Sequence, residues 1–428
     1  MLNKILSLIK KIIPKKVFQF FQPAYHWLLS KVSAFVYNFP SEKLIVIGVT
    51  GTAGKSSTCY FIAQILESAG IKVGMTTTTL FKIGNEEKLN NTKMTMLGRF
   101  QTQKFLKRMV KEKCKVAIIE TSSQGIEQFR HIGINYDILV FTNLYPEHIE
   151  AHGSFENYKK AKGKLFKYLS KCKEKHLNTE TLKHLNTIKK TIVANSDDEH
   201  ADYFLNFKAD KKIKFGLDKD WSASSADYKT NILGEYNKYN IQAGIEVAKV
   251  FRIDEDKILN AVKNLKPMPG RLEFIENNLG IKILVDYAFE PKAIEKLYQV
   301  IKEIPHEKVM HVLGSAGGGR DKARRPKLGK IAGENSDVVI VTNEDPYDEN
   351  PEKIIDQVAE PVQKNKLFKI LDRREAIKKA LELASKDDLI LITGKGAEQG
   401  ICVKNGKILK WDDREIVREE LKNITQSF

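Results

Sequence analysis

The residues from Thr50 to Ser56 combine glycines, hydroxyl side chains and one lysine in a single short stretch, TGTAGKS. This stretch follows the aliphatic run Leu44–Val49 and leads into a helical pattern that begins near Lys55. In such a strand–turn–helix unit, backbone N–H groups and the positive helix end can bind phosphates, the lysine neutralises charge, and the serine ligates Mg²⁺. The general spacing G-x-x-x-x-G-K-[ST] requires glycine at position 49, which is valine here. The stretch alone predicts a variant nucleotide-binding loop, and a tight turn of small residues is the alternative.

Two further positions have side chains suited to phosphate chemistry. Glu120 ends the apolar run CKVAIIE, where an acid can hold Mg²⁺ or its water shell, although a single glutamate at a strand end is more often a solvated loop residue. His148 stands fourteen residues before Lys162 in the segment TNLYPEHIEAHGSFENYKKAKGKLF, and a single histidine is more often structural. Neither position decides a function by itself.

The elements that must position these residues alternate between strand and helix patterns. This alternation predicts a parallel sheet with helices on both faces, with active residues in loops at the carboxyl ends of the strands. The proline- and glycine-containing stretch LKPMPGR reads as a linker, and four more strand-like runs follow it. We therefore predict an α/β protein with a central parallel-sheet P-loop ATPase domain (41–266), a Rossmann-like α/β C-terminal domain (267–428) and a short helical N-terminal segment (1–40).

The composition sets the broad class of the protein. The chain has 428 residues, 42% hydrophobic and 29% charged, which is typical of a soluble globular protein of two or three domains. A net charge of +17 fits anionic ligands or a membrane surface, whereas the even spread of lysines argues against nucleic acid. Four widely spaced cysteines predict reduced thiols in a cytoplasmic protein: Cys59, Cys114, Cys172 and Cys402.

The first forty residues differ from the rest of the chain. Their first half is lysine-rich without an acid and has apolar residues at helical spacing, and the half after Pro23 is apolar and aromatic. Neither half reaches the ~18–20 apolar residues of a transmembrane helix, and the sequence lacks the cleavage site of a secretory signal. Two interpretations stay open. Residues 1–38 form a basic amphipathic pair that contacts an anionic membrane surface, or a helical hairpin that packs on the protein or a second subunit.

Taken together, the motifs resemble the Mur ligase family, most closely its UDP-N-acetylmuramyl-tripeptide synthetase branch (MurE-like). The resemblance covers roughly residues 43–415, in the family's order. The matching stretches are Thr50–Ser56; Glu120, Ser122, Ser123, Gln128 and Arg130; Thr142–Phe166; Gly234, Tyr236, Asn237 and Asn240; Pro269–Arg271; Val285–Ala288; Arg320–Pro326; and Gly394–Glu398.

The resemblance implies a role for each matched residue. Lys55, His148, Lys162 and Arg271 would serve catalysis. Mg²⁺ would be held by Ser56, Glu120, His148 and Lys162, with Lys162 carbamylated so that it supplies a carboxylate. ATP would bind to Thr50, Gly51, Thr52, Ala53, Gly54, Lys55, Ser56, Ser57, Asn237, Arg271 and Asp286. Since Arg271 and Asp286 lie beyond the linker, ATP would be clamped between the two domains, and domain closure would be part of turnover.

The implied reaction is an ADP-forming ligation of a carboxylate and an amine. ATP turns the carboxylate, a poor electrophile, into an acyl phosphate, which the amine attacks, while Lys, Arg and Mg²⁺ offset the developing charge. The leading prediction is addition of an amino acid to a peptidoglycan-precursor-like acceptor in cell-wall synthesis. The alternatives are the same chemistry on another acceptor, as in folylpolyglutamate or cyanophycin synthetases, or a nucleotide-binding partner subunit without its own activity.

Departures from the family pattern fall on the substrate side. The family's N-terminal UDP-binding domain has no match here, which suggests an acceptor that is lipid-linked or held at the inner face of the membrane. Acceptor contacts are expected from Asn91, Thr92, Ser122, Gln128 and Arg130, and Lys93 replaces a family threonine. Amino-acid contacts are expected from Arg320, Glu344, Asp345, Pro346, Tyr347, Gly394 and Glu398. Because Tyr347 replaces the arginine that grips a second carboxylate, diaminopimelate is disfavoured, and the identity of the amino acid and the oligomeric state stay open.

Overall fold

The computed structural model describes residues 15–147, 149–175, 188–217 and 230–426, and the chain divides into two compact units. The phosphate-loop unit comprises Met1–Lys88, Met94–Thr230 and Tyr239–Leu265. The C-terminal unit comprises Leu89–Lys93, Asn231–Lys238 and Lys266–Phe428.

The phosphate-loop unit is built on an eight-stranded sheet of order β4-β3-β2-β5-β1-β6-β7-β8. Its strands are β1 (Ile45–Thr50), β2 (Val73–Thr76), β3 (Leu80–Ile83), β4 (Glu86–Leu89), β5 (Val116–Glu120), β6 (Ile138–Phe141), β7 (Thr191–Asn195) and β8 (Lys211–Phe215). The run from β2 to β8 across the sheet is parallel, whereas β3 pairs with β2 antiparallel. In this register Val49 lies opposite Glu120 and Thr50 opposite Phe141, so three strands end at one edge.

Helices cover the sheet because their apolar stripes pack on its buried aliphatic strands. They are α1 (Lys15–Val36), α2 (Lys55–Ser68), α3 (Arg99–Lys111), α4 (Ser123–Glu127), α5 (Ile149–His152), α6 (Phe155–Leu169), α7 (Ala201–Leu205), α8 (Glu235–Val250) and α9 (Glu255–Lys263). The first four residues of α8 belong to the C-terminal unit and the remainder to the phosphate-loop unit. Helix α6 is capped by Ser154, whose hydroxyl accepts a hydrogen bond from the Asn157 N–H at 3.2 Å.

The C-terminal unit has a six-stranded sheet of order β13-β12-β11-β14-β10-β9, in which only the edge strand β9 is antiparallel. The strands are β9 (Glu273–Phe274), β10 (Lys282–Val285), β11 (Val309–Leu313), β12 (Val338–Val341), β13 (Leu367–Lys369) and β14 (Leu389–Ile392), and a hairpin adds β15 (Ile401–Val403) and β16 (Lys407–Leu409). Its helices are α10 (Pro291–Ile301), α11 (Arg324–Asn335), α12 (Pro351–Ala359), α13 (Arg373–Leu383) and α14 (Asp413–Gln426).

Helix α1 corrects part of the prediction for the N-terminal segment. Two helical halves separated near Pro23 were expected, but within the described residues one helix runs through Pro23. This proline is exposed to solvent, where a missing backbone hydrogen bond bends a helix without ending it. The helix packs on its own unit, since Ser30 donates a hydrogen bond to the Phe129 carbonyl at 2.7 Å. Among the described residues, no helix is long and apolar enough to cross a membrane.

Candidate active site

The loop between β1 and α2 is held in one shape by close backbone packing. A Cβ atom on Gly51 would lie 1.9 Å from the Thr142 hydroxyl, and one on Gly54 would lie 2.3 Å from Asn240 Oδ1, so both positions require glycine. Asn143, at the end of β6, accepts hydrogen bonds from the Thr52 N–H through its carbonyl and from the Ala53 N–H through Oδ1, each at 2.9 Å. These contacts fix the loop before any ligand binds.

Ser56, in the first turn of α2, contacts Glu120 at the end of β5. The Ser56 hydroxyl donates to Glu120 Oε2 at 2.7 Å, and the carboxylate also accepts hydrogen bonds from the N–H and the hydroxyl of Thr78 at 2.8 and 2.9 Å. Glu120 is 2% exposed, so these donors stabilise a buried charge. Thr78 was not predicted from the sequence, although it stands in a run of four threonines that begins with the last residue of β2 and offers candidate hydroxyl ligands.

The side chains present fit a phosphate group with Mg²⁺. Serine and glutamate supply the hard oxygen ligands that Mg²⁺ prefers, and the buried Thr50 hydroxyl has no hydrogen-bond partner within the described chain. A ligand cluster made only of three His, Cys, Asp or Glu side chains does not occur among the described residues. The predicted ligand His148 lies outside those residues, so the expected set depends on Ser56, Glu120 and a modified Lys162.

Lys162 lies on α6 and is 1% exposed. Its Nζ donates to the Gly51 carbonyl at 2.7 Å and lies 4.5 Å from the centre of the Tyr158 ring. Burial lowers the pKa of Lys162 well below its ordinary value, the positive charge of Lys55 lowers it further, and Glu147 and Glu120 act in the opposite direction. The amine is therefore biased toward its neutral, nucleophilic form.

Three of the predicted acceptor contacts gather near α4. Ser122 caps this helix by accepting from the Gly125 N–H at 3.2 Å. The Arg130 guanidinium donates to Gln128 Oε1 at 2.6 and 3.0 Å and to the Met96 carbonyl. The other two, Asn91 and Thr92, belong to the C-terminal unit, where Thr92 donates to Asn90 Oδ1.

In the C-terminal unit, Asp286 follows β10 and is buried. Its two oxygens accept hydrogen bonds from the N–H groups of Leu272 and Ala288, each at 2.7 Å. Burial raises the pKa of Asp286, and the nearby Arg271 lowers it. The Arg271 guanidinium stacks on Tyr287 at 4.2 Å from the ring centre. The amide of Asn237 donates to the Leu233 carbonyl at 2.8 Å.

Two carboxylates and two lysines form a closed cluster where β12 and β14 end. The Lys395 ammonium lies 2.9 Å from Asp345 and 2.6 Å from Glu398, and the Lys93 ammonium lies 3.3 Å and 2.6 Å from the same two residues. Tyr287 also donates to Glu398 at 3.1 Å. Both acids were predicted from the sequence as amino-acid contacts, but neither lysine was given a role. The Lys93–Glu398 pair could not be predicted because the two residues are 305 positions apart in the sequence.

The remaining predicted amino-acid contacts surround this cluster. Glu344 is 4% exposed, one of its oxygens has no partner among the described residues, and burial raises its pKa to about 7. A Cβ on Gly394 would lie 2.6 Å from that carboxylate, so glycine is needed there. Tyr347, with a positive φ of 52°, donates its N–H to the Cys402 carbonyl at 3.0 Å after Pro346. Arg320 is exposed.

Two parts of the chain match models of known protein families. Residues 49–248 match the family model of the Mur ligase middle domain, and residues 270–396 match that of the Mur ligase, glutamate ligase domain. The chain belongs to the Mur ligase family. It is thus an ATP-dependent amide ligase of a family that uses ATP and Mg²⁺ and whose named relatives act in peptidoglycan synthesis.

Relatives match this Mur ligase over most of its length. It is 34% identical to the UDP-N-acetylmuramyl-tripeptide synthetase of Borreliella burgdorferi over 415 residues, covering 93% of this chain and 80% of the relative. It is 32% identical to UDP-N-acetylmuramoyl-L-alanyl-D-glutamate–2,6-diaminopimelate ligase 1 of Clostridium acetobutylicum, with 92% and 82% coverage.

Solved structures agree with the fold. A UDP-N-acetylmuramoyl-L-alanyl-D-glutamate–2,6-diaminopimelate ligase is 28% identical, with a TM-score of 0.57 over 89% of this chain and 79% of that one. Mycobacterium tuberculosis folylpolyglutamate synthase, at 15% identity and a TM-score of 0.64 over 86% and 92%, shares the fold. The predicted fold class, family and reaction type are thereby confirmed, whereas the individual site residues stay predictions.

Proposed function

We propose that this Mur ligase joins an amino acid to a carboxylate acceptor of the peptidoglycan-precursor type by way of an acyl phosphate. The observation that carries the proposal is the buried contact of Ser56 with Glu120 beside the rigid loop that contains Lys55. Direct phosphoryl transfer from ATP to the acceptor carboxylate requires no protein nucleophile, so the loop has only to bind the phosphates and the metal.

The chain's own residues divide the work of this transfer. The N–H groups of the loop and Lys55 bind the phosphates and stabilise charge that develops during transfer. Ser56 and Glu120 hold the metal site, and bound Mg²⁺ supplies further charge neutralisation. In the C-terminal unit, Arg271 directly precedes Leu272, and Asp286 accepts a hydrogen bond from the Leu272 N–H. We propose that Arg271 contacts the γ-phosphate of ATP and that Asp286 contacts the ribose.

An oxygen-transfer experiment tests the acyl phosphate. The probe is UDP-N-acetylmuramoyl-L-alanyl-D-glutamate, the acceptor in the names of several relatives, labelled with ¹⁸O in its carboxylates. Attack of a carboxylate oxygen on ATP and later loss of phosphate predicts one labelled oxygen in each phosphate released. Amide formation with unlabelled phosphate overturns the mechanism. Absence of turnover with this acceptor, a lipid-linked muramyl peptide and folate-type acceptors favours a nucleotide-binding partner subunit.

We also propose that Lys162 is carbamylated and completes the metal site. Its burial, its contact with the Gly51 carbonyl and its place in the family motif support this role. Carbon dioxide adds to a neutral amine with loss of one proton, so the product is a carboxylate that can bind a divalent cation.

Lys162→Ala tests the carbamate. We expect loss of activity by about a thousandfold or more, as for removal of a group that organises transition-state charge, with partial recovery in acetate. The matched control is Lys164→Ala on the same helix, because Lys164 is exposed and pairs with Glu127 in a surface contact. Full activity of Lys162→Ala, or equal acetate effects in both variants, removes Lys162 from the site.

On the amine side, we propose that Asp345 and Glu398 bind the ammonium group of the incoming amino acid. Lys93 and Lys395 already show that this pair of carboxylates accepts ammonium groups at 2.6–3.3 Å. With tyrosine at position 347, the arginine that the family motif has at this position for a second carboxylate is replaced. The proposed substrate is therefore an amino acid with a single carboxylate.

Asp345→Asn tests the amine site. It should raise the KM for the amino acid about tenfold or more and leave the KM for ATP near its original value, because one charge-assisted hydrogen bond is weakened. Asp348→Asn is the control, since Asp348 is exposed and accepts a hydrogen bond from the Asn405 N–H on the surface. Equal KM values for the amino acid in the Asp345 variant and the unchanged enzyme contradict the assignment.

We propose, finally, that the enzyme works on the cytoplasmic side of a membrane that it contacts through residues 1–38. These residues include six lysines, and the first acid of the chain is Glu42. Such a segment attracts an anionic surface. Replacing Lys4, Lys10, Lys11, Lys15 and Lys16 with glutamine should weaken binding to phosphatidylglycerol vesicles and flatten its salt dependence, and unchanged binding contradicts the proposal.

A further inference from the structure

Helix α1 has one face committed to its own unit. Ser30, Ser33 and Ala34 are 0–1% exposed, and Ser30 bonds to the Phe129 carbonyl. A Cβ on Gly133 would lie 2.8 Å from the Ala34 Cβ, so the helix backbone approaches the unit closely. Small residues on this face permit that approach, and the helix is anchored by it.

The opposite face of α1 is apolar and exposed. At about 100° per residue, its side chains fall within an arc of about 100° centred roughly opposite the buried face. This exposed face is formed by Phe21 (60% exposed), Leu28 (55%), Val32 (39%), Phe35 (72%) and Val36 (57%).

The concentration of apolar surface here is unusual for the molecule. Seven of the twelve large apolar side chains that are exposed in the described part of the chain lie between Phe21 and Phe39. A contiguous exposed apolar patch marks an interaction site, whereas scattered single residues do not. Trp27, at 46% exposure, lies outside this arc, on the flank of the helix toward Ala34, with the Lys31 ammonium 6.0 Å from its ring centre.

Charge identifies the occupant of the face. The segment 1–41 carries six lysines and no acid, and it includes α1. A second copy docked face to face would place two such basic segments together, which charge repulsion opposes. A bilayer with anionic headgroups instead offers acyl chains for the apolar face and negative charge for the lysines.

We infer that the exposed face of α1 lies in the headgroup–acyl boundary of an anionic bilayer, with the helix parallel to the membrane plane. The inference rests on the membrane contact proposed above and specifies its surface, depth and lipid class. Its five apolar side chains enter the boundary, while the face of Ser30, Ser33 and Ala34 keeps the catalytic unit attached. The enzyme would then meet acceptors that are themselves held at the membrane.

Vesicle flotation of the full-length protein with phosphatidylcholine, alone or mixed with phosphatidylglycerol, tests the face. We expect binding to the mixed vesicles only, and a reduction of about a hundredfold for Phe21→Ser/Phe35→Ser, since each buried aromatic side chain accounts for roughly a tenfold effect. The control is Phe274→Ser/Leu409→Ser, which removes two exposed apolar side chains elsewhere and should bind as the unchanged protein does.

The outcomes separate the inference from the proposals on which it rests. No binding by the unchanged protein overturns the membrane contact, and equal binding by Phe21→Ser/Phe35→Ser overturns the assignment of the face. A dimer that this variant dissociates, without any lipid dependence, identifies the face as a subunit interface and also overturns the inference. If the variant fails to fold, a Phe35→Trp/Trp27→Phe variant decides: a blue shift of its tryptophan fluorescence with mixed vesicles, absent from Trp27→Phe alone, supports the inference, and no shift contradicts it.

Discussion

The phosphate-loop unit and the C-terminal unit differ in how closely their residues match the family's motifs. In the first, Lys55, Ser56, Glu120 and Lys162 retain the family residue types, and the last three are nearly inaccessible to solvent. In the second, the resemblance puts Tyr347 where the family has an arginine, and Lys93, which stands in place of a family threonine, pairs with Asp345. Phosphate chemistry is the same for every substrate of such a ligase, whereas the amine side selects one. From this difference we propose that the reaction is preserved and that the selectivity for the amine is altered.

The largest effect on activity is expected from a substitution in the phosphate-binding loop. Lys55→Ala should lower kcat by about a thousandfold or more, because it removes the cation that offsets charge on the transferring phosphoryl group. Phosphate release under saturating substrates measures it. Lys104→Ala, a change of an exposed lysine on α3, is the control and should leave kcat unchanged. A Lys55 variant with kcat within tenfold of the original would show that the loop does not act on the γ-phosphate.

A smaller effect is expected when the amine side is returned to the family pattern. Tyr347→Arg restores a bidentate partner for a second carboxylate and should raise kcat/KM for meso-diaminopimelate by about ten- to a hundredfold. The KM for ATP should stay within about twofold, because the change lies on the amine side. Steady-state kinetics with both substrates measure this. A changed KM for ATP without a higher kcat/KM for diaminopimelate would contradict the assignment of position 347 to amino-acid binding.

The pattern of the sequence was sufficient for the sheets and for residues at strand ends. Parallel strands bring Thr50 and Glu120 to one edge, so their proximity follows from alternation and strand order. Side-chain pairs between distant segments could not be predicted in this way. Lys93 meets Glu398 only after the chain has folded, and Thr78 bonds Glu120 from a loop whose threonines look alike in sequence. The sequence also did not predict that the helix continues through Pro23, because this depends on the exposure of the proline in the folded chain.

An effect on stability, rather than on activity, is also expected on the amine side. Burial raises the pKa of Glu344 to about 7 from an ordinary value of 4.5, so the folded state keeps a proton that the unfolded chain releases. Its contribution to the free energy of unfolding is complete below pH 4.5 and is lost as the pH rises through 7. Glu344→Gln, which stays neutral, should gain up to about 3 kcal/mol relative to the unchanged protein across this range.

Urea denaturation at several pH values measures this difference. Glu334→Gln is the control, because Glu334 is exposed and pairs weakly with Lys330 at 3.8 Å, so its effect should be small at every pH. The free energies of unfolding of Glu344→Gln and the unchanged protein could instead differ by the same amount at every pH between 4.5 and 8. That result would contradict a raised pKa for the buried carboxyl of Glu344.

The central claim is that an unaltered phosphate side serves an altered amine side. Phosphate release by the unchanged enzyme tests it most directly, measured with ATP, Mg²⁺, bicarbonate, a muramyl-dipeptide acceptor and a panel of amino acids. The account predicts release that requires both acceptor and amino acid, with kcat/KM at least about tenfold higher for an amino acid with one carboxylate than for meso-diaminopimelate. Preference for meso-diaminopimelate, or phosphate release that ignores the amino acid, would contradict it.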